Sequence, residues 1–254
     1  MFNAILRRVA PIPKLGSFER YLFIGPHPDD IEVACAPSVR ALTRAGKHVT
    51  FLVLTDGRMG SIDPALYGDA LVEIRRAEAT ASAKLLGVTD VVFLPFHDGG
   101  MYAMEDAACE IARQIVALRP DAVFAPDPNV ISECHIDHIK AGLAAKMSMN
   151  MAPFESVMKS IGSEGSHAIQ ALAFYYTDKP NAYLGVRKTF SARAAALACH
   201  KSQFDEKTAA DICLYFKLRS VRFGLRKAKG LADGYRALSP LHMHCFPEAS
   251  EWVR

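Results

Sequence analysis

Short apolar runs alternate with amphipathic stretches from about residue 20 to residue 150, and each apolar run ends in polar residues. Tyr21-Leu-Phe-Ile24, closed by Gly25 and Pro26, reads as a strand buried on both faces. The residues after Asp30, from Ile31 and Val33 to Ala41 and Leu42, suit a helix. Val49-Thr-Phe-Leu-Val-Leu54 reads as a second buried strand. A helix is predicted from about Ala70 to Leu86, with Leu71, Ile74, Ala77, Ala81 and Leu85 on one face and Gly87 closing it. Val91–Leu94 is a third strand, Met104 to Leu118 a helix, and Asp121–Ala125 a fourth strand. Beyond Met151 the pattern loosens. A strand over Ile169–Tyr176, an Ala-rich helix over Ser191–Gln203 and a long helix from about Lys207 to Lys227 are predicted there.

Strands that alternate with helices predict parallel βαβ units with right-handed crossovers. The expected fold class is α/β: a Rossmann-like three-layer fold with a mostly parallel sheet and a C-terminal α/β extension. In the strand order 3-2-1-4 the first and fourth strands are neighbours, so the loops at their C-terminal ends face each other across the switch point, where ligands bind. We expect a single domain over residues 1–254. Its parts are an N-terminal arm (1–19) with Leu6 and Val9 packed on the body, a core (20–150) and a C-terminal part (151–254) that completes the pocket.

A chain of 254 residues suffices for one well-buried domain. A net charge of +3 is too mild for a dedicated nucleic-acid binder. Six scattered cysteines, Cys35, Cys109, Cys134, Cys199, Cys213 and Cys245, are not a disulfide framework, which points to a cytoplasmic location. No apolar run approaches the length of a membrane span, and Met1–Lys14 lacks the apolar stretch of a signal peptide. Arg219, Arg222 and Arg226 share a helix face, read chiefly as solvated, with an anionic substrate, carrier or membrane surface as the minority reading. Homo-oligomerisation stays open.

The candidate chemistry sits where the strands end. The first strand runs into His27-Pro-Asp29-Asp30, the second into Thr55-Asp-Gly57-Arg-Met-Gly60, and the third into His97-Asp98-Gly-Gly100. The fourth is followed by His135-Ile-Asp137-His138. Asp29 and Glu32 also have the spacing of a helix cap and its capping-box partner, so the first cluster alone is ambiguous. His135 and His138, three apart, point the same way on a helix. Two histidines and a carboxylate with an open position form a common catalytic zinc set. Cys134 reads as a small buried apolar residue rather than a thiolate ligand. His48, His97, His167 and His200 read as structural or surface residues. So do His242 and His244, which would point opposite ways on a strand.

In His27-Pro-Asp29-Asp30, Thr55-Asp-Gly57, Arg75-x-x-Glu78 with Leu86-Gly87, and Arg119-Pro-Asp121 followed by His135-Ile-Asp137-His138, the chain resembles the PIG-L/LmbE-like zinc-dependent N-deacetylases. His200-Lys-Ser-Gln203 adds a weaker match. The resemblance implies that His27, Asp30 and His138 hold Zn2+, with another divalent metal left open. It implies Asp29 as general base on the metal's water, and His135 as the protonated partner that stabilises the oxyanion or protonates the leaving amine. Asp137 would orient the His135 ring, and Arg75 would contact substrate. The implied substrate is a small N-acetylated amino sugar, an N-acetylglucosamine-type conjugate that yields free amine and acetate. The chain departs from the family at Ala34-Cys-Ala-Pro37-Ser38, at Ile136 and at its C-terminal end. The metal chemistry survives these departures; substrate identity is what they affect. The rival readings are another metal-dependent hydrolase of the phosphoesterase kind, which needs more carboxylates, and a non-catalytic metal- or sugar-binding module, which has no need of Asp29.

Overall fold

The computed structural model describes residues 2–227, 230–244 and 248–252. Its strands are Arg20–Gly25 (β1), His48–Thr55 (β2), Asp90–Phe96 (β3), Ala122–Pro126 (β4), Ala171–Tyr175 (β5), Ala182–Gly185 (β6) and Ala232–Leu238 (β7). Its helices are Phe2–Val9 (α1), Asp30–Arg44 (α2), Asp69–Leu86 (α3), Met104–Leu118 (α4), Ile136–Met151 (α5), Glu155–Ser160 (α6), Ala192–Leu197 (α7) and Glu206–Lys227 (α8). Among the described residues the strands form one seven-stranded sheet in the order β3-β2-β1-β4-β5-β7-β6. The pairings from β3 to β5 are parallel, and β7 runs antiparallel to both β5 and β6. β1 and β4 are paired neighbours, as expected, with Tyr21 opposite Ala122 and Phe23 opposite Phe124.

Alternation along each strand splits the core in two. Tyr21, Phe23, Phe51 and Phe124 face α2, α3 and α7, while Leu22, Ile24, Leu52 and Val123 face α4, α5 and α6. The Phe23 and Phe124 rings stack 4.3 Å apart across the β1–β4 pair. Both faces of the central strands β1 and β4 are covered, so these two strands are almost wholly apolar. No helix among the described residues is long and apolar enough to cross a membrane.

Several local expectations change. On α3 the buried face is Leu71, Val72, Arg75, Ala79, Ser82, Ala83 and Leu86. Ile74 and Leu85, from the predicted stripe, are 37% and 41% exposed. Apolar periodicity missed this face because two of its members, Arg75 and Ser82, are polar residues that bond inward. Pro37 lies in the interior of α2. It has no N–H for the Val33 carbonyl, and Arg193 fills the gap. Arg193 Nε donates to Val33 O at 2.8 Å and a terminal nitrogen donates to Ala34 O at 3.1 Å. The predicted Ser191–Gln203 helix is regular only over Ala192–Leu197, and His200–Gln203 is a turn.

At the N-terminus Val9 is 69% exposed, and Ala10 takes the buried place instead. His242 is buried and His244 exposed, in a turn rather than on a strand. Cys134 is exposed, not buried; Cys35, Cys109, Cys199 and Cys213 are also free. Cys245 and the side chain of Arg226 lie outside the described residues.

Candidate metal centre

The site forms where β1 and β4 deliver their loops to the same edge of the sheet. His27 follows the end of β1, and Asp30 is the first residue of α2. The backbone N–H of His27 donates to Asp30 Oδ2 at 3.0 Å, which folds the short turn back on itself. His135 caps α5, which puts Asp137 and His138 in its first turn. Gly142 lets α5 come close: a Cβ there would lie 2.5 Å from the Pro126 carbonyl oxygen at the end of β4.

One donor from each of His27, Asp30 and His138 lies within 4.8 Å of the other two. His27 Nδ1 is 3.1 Å from Asp30 Oδ2, and His138 Nε2 is 3.3 Å from Asp30 Oδ1. Burial alone would raise the Asp30 carboxyl, but His138 and His27 together hold it well below the usual carboxylate range. Burial likewise opposes charge on His27, and Asp137, Asp30 and Asp98 outweigh it, so its imidazole is pushed well above its ordinary value.

Asp29 stands apart from this trio. Its carboxylate makes no cap for α2. It accepts from an Arg75 terminal nitrogen at 3.0 Å instead. Burial pushes the carboxyl up to about 6 against the pull of Arg75. The capping-box reading also fails at Glu32, which is 2% exposed, bonded to Ser82, and 3.2 Å from His200 Nε2. Arg75, expected at the substrate, is only 3% exposed. Its other terminal nitrogen donates to Gly57 O at 2.8 Å, so its charge is directed at Asp29. Gly57, at φ +68°, supplies both the left-handed turn and the space, since a Cβ there would stand 2.6 Å from the guanidinium.

A second group adjoins the first: His27, Asp98, His135 and Asp137 also bring donors within 4.8 Å of one another. His27 Nε2 is 3.2 Å from Asp98 Oδ1 and 3.4 Å from Asp137 Oδ2. Asp137, fully buried, accepts the N–H groups of Gly99 and Gly100 at 3.0 Å each. Burial opposes its ionisation, but His27 and the Gly99 amide win, and its carboxyl is depressed. The expected contact to His135 is longer, 3.8 Å from Nδ1. The His135 ring is half-exposed and stacks on His138 at 4.8 Å between centroids. Burial, then the neighbouring His27 and His138, push its imidazole down.

Three residues here carried little or no signal in the sequence. Asp98 is one, marked only by its place after the third strand. Glu133 is another: it accepts from the His135 N–H at 2.8 Å and lies 3.1 Å from His138 Nδ1. The third, Tyr176, directs its hydroxyl at the Asp30 carbonyl (3.3 Å) and Oδ1 (3.5 Å), with its ring parallel to His138 within 8°. Its φ of +56° is unusual for a residue with a side chain, and it occurs directly after β5, beside the site.

The PIG-L model, described as GlcNAc-PI de-N-acetylase, matches residues 22–149. The chain is 32% identical over 233 residues to the diacetylchitobiose deacetylase of Thermococcus kodakarensis, covering 91% of this chain and 87% of that protein. It is 27% identical over 192 residues to a probable N-acetyl-alpha-D-glucosaminyl L-malate deacetylase 2 of Bacillus cereus, covering 72% and 82% respectively. Its structure superposes on the N,N'-diacetylchitobiose deacetylase of Pyrococcus horikoshii, solved with its inhibitor MPG. The TM-score is 0.88 at 28% identity, over 97% of this chain and 94% of that one.

Proposed function

Because this chain belongs to the PIG-L family of GlcNAc-PI de-N-acetylases, we propose that it is a zinc-dependent hydrolase that removes the acetyl group from an N-acetylglucosamine-type conjugate, releasing acetate and a free amine. The observation that carries this reading is a division of labour among adjacent carboxylates. Asp30 joins the three-donor set, and Asp29, its neighbour in sequence, is held outside that set by Arg75.

The donor set fits a divalent metal. Two imidazoles and a carboxylate from His27, Asp30 and His138 match the ligands of catalytic zinc. A bound zinc would supply a Lewis acid that polarises the amide carbonyl and makes a water acidic. We assign to Asp29 the role of general base, in which it would take a proton from water, and a nearby cation would keep it ionised. We assign to His135 the role of giving a proton to the departing amine, which an amide requires. Asp137, fixed by two backbone N–H groups, holds negative charge beneath His135 and His27. Arg75 fixes Asp29, and we place its contact with substrate through that carboxylate. We place the enzyme in the cytoplasm, which the free cysteines support.

A phosphoesterase with two metals is disfavoured because the two donor groups share His27 and do not provide two separate ligand sets. A pure binding module leaves Asp29 and its arginine without a purpose.

The test is acetate release from a panel of N-acetylglucosamine conjugates by zinc-loaded protein, with metal counted per chain. Asp29→Asn is expected to keep one tightly held zinc and to lose about 10²–10⁴-fold in kcat. Near-full activity in that variant would overturn the assignment of the base.

A further inference from the structure

A groove of about 820 Å3 opens on His138, lined by residues of the Val130–Glu133 loop, the Thr177–Pro180 turn and one face of α8. This is near the upper end of small-molecule sites, which span about 300–1,000 Å3. It is far more than an acetamide needs. Tyr176 borders both regions: its hydroxyl reaches Asp30 and its ring lines the groove.

The contribution of α8 is distinctive. Tyr215 and Leu218 present apolar surface, and Arg219 and Arg222, one turn apart, bring guanidinium groups to the same wall. Arg219 is already ordered. It donates to the Thr177 carbonyl at 2.5 Å and lies over the Phe223 ring at 5.2 Å, which leaves other donors of its fork unused. Among the described residues the arginines in ion pairs are Arg58, Arg75, Arg113, Arg193 and Arg236; Arg219 and Arg222 are in none. The acids lining the groove are Glu133 and Asp178. Glu133 is engaged with His138 and the His135 N–H, which leaves exposed Asp178 as the other acid of a lining that holds two arginines.

Resting on the deacetylase reading above, we propose that this groove holds the group attached to the reacting amino sugar and selects an anionic one. The aglycone it fits has a ring with an apolar face for Tyr215 and Leu218 and a carboxylate or phosphate for Arg219 and Arg222. Guanidinium forks pair with both anions in a bidentate way. The arginines of α8 are thus specificity-determining residues, and the face is more than a solvated stripe.

Three disaccharides test this: N-acetylglucosamine linked to glucose, to glucuronate and to glucose 6-phosphate. Acetate release gives kcat and KM with zinc-loaded protein, and calorimetry gives binding. At low salt at least one acidic conjugate is expected to exceed the neutral one about 10-fold in kcat/KM, through KM, with the advantage shrinking as salt is added. Comparing glucuronate with the phosphate identifies the preferred anion. Arg222→Glu, on the exposed side of the wall, is expected to cut the acidic-to-neutral ratio at least about 10-fold, and Arg219→Gln to cut it less. If all three sugars are turned over alike and Arg222→Glu changes no ratio, the anionic subsite is wrong and the deacetylase reading stands. If none is turned over, the deacetylase reading fails. Calorimetry then decides the groove: binding of the acidic sugars that depends on Arg222 keeps it, and equal or absent binding removes it.

Discussion

Glu133 and Tyr176 belong to no motif, yet each bonds a member of the proposed donor set, Glu133 to His138 and Tyr176 to Asp30. Glu133 engages His138 Nδ1, which leaves Nε2 directed at Asp30. A carboxylate on the far nitrogen fixes the tautomer and raises the basicity of a histidine ligand. Glu133→Gln is therefore expected to weaken zinc affinity about 10–100-fold, measured by competition with a chromogenic chelator, while thermal stability without metal hardly changes. An unchanged affinity would show that Glu133 serves only the loop. Tyr176→Phe removes the hydroxyl from Asp30 and keeps the ring beside His138, so its effect on affinity is expected to be smaller. At this scale the sequence was legible only where the family motifs run. His27, Asp30, Asp137 and His138 stand in those motifs and lie in the two donor groups, while Asp29, in the same motif, is bonded to Arg75 outside them. Glu133 is one acid in an irregular loop and Tyr176 one aromatic at a strand end; neither spacing nor periodicity distinguishes such residues from ordinary surface and core.

Among the elements, α2 carries the site at one end and Pro37 in its middle. Arg193 repairs the break and is itself fully buried, 3.5 Å from Asp233 and 4.2 Å over the Phe216 ring. Arg193→Met removes the donor to the Val33 carbonyl and the cation beside buried Asp233, which keeps only the Ser38 and Ser220 hydroxyls, and is expected to cost about 3–5 kcal/mol in urea unfolding. Pro37→Ala in the same background restores an N–H for Val33 and is expected to recover part of the loss; strict additivity of the two changes would refute the coupling. At the other end of the sheet Asp121 ties three strands. It accepts the N–H groups of Glu19 and Arg20 at 3.0 Å each, before and within β1, and the Gln170 side chain before β5 at 2.9 Å. Burial would raise its carboxyl, but these donors depress it. A carboxyl with a folded value below its unfolded one, about 3.9, stabilises fully above that value, and the contribution is lost as pH falls through the folded value. Asp121→Asn is expected to flatten the fall in stability between about pH 5 and pH 2, and an identical acid slope would remove this assignment. This residue stood in the Arg119-Pro-Asp121 motif, and its position at the end of the sheet away from His27 gives it a structural role. On α3, by contrast, periodicity pointed to the wrong face, because Arg75 and Ser82 are buried by polar bonds that an apolar count does not register.

The whole molecule follows from alternation of strand and helix, which was enough to place β1 beside β4 and so to bring residues about a hundred positions apart to one edge. The antiparallel β7 and the short β6 beside it were not legible, and the helix read over Ser191–Gln203 is regular only over Ala192–Leu197. Ala232–Leu238 is buried along its length yet contains Asp233, Gly234 and Arg236, whose partners Ser38, Phe223 and Glu251 are supplied only by the tertiary fold. That long-range closure has a consequence for stability. The proposed ligands come from β1–α2 and from α5, so the donor set exists only in the folded chain, and a metal that binds it must stabilise the entire sheet. At free zinc about 100 times the dissociation constant the linkage is worth about 2.7 kcal/mol. For a chain of this length that corresponds to a rise in Tm of roughly 5–10 °C. Calorimetry with zinc and with a chelator is expected to show this difference in the unaltered protein. The same rise is expected in Asp29→Asn, which keeps the three donors, and none in His138→Ala, which loses one. A rise that survives His138→Ala would place the metal elsewhere on the chain, and a rise absent from Asp29→Asn would make Asp29 a ligand rather than the base beside one.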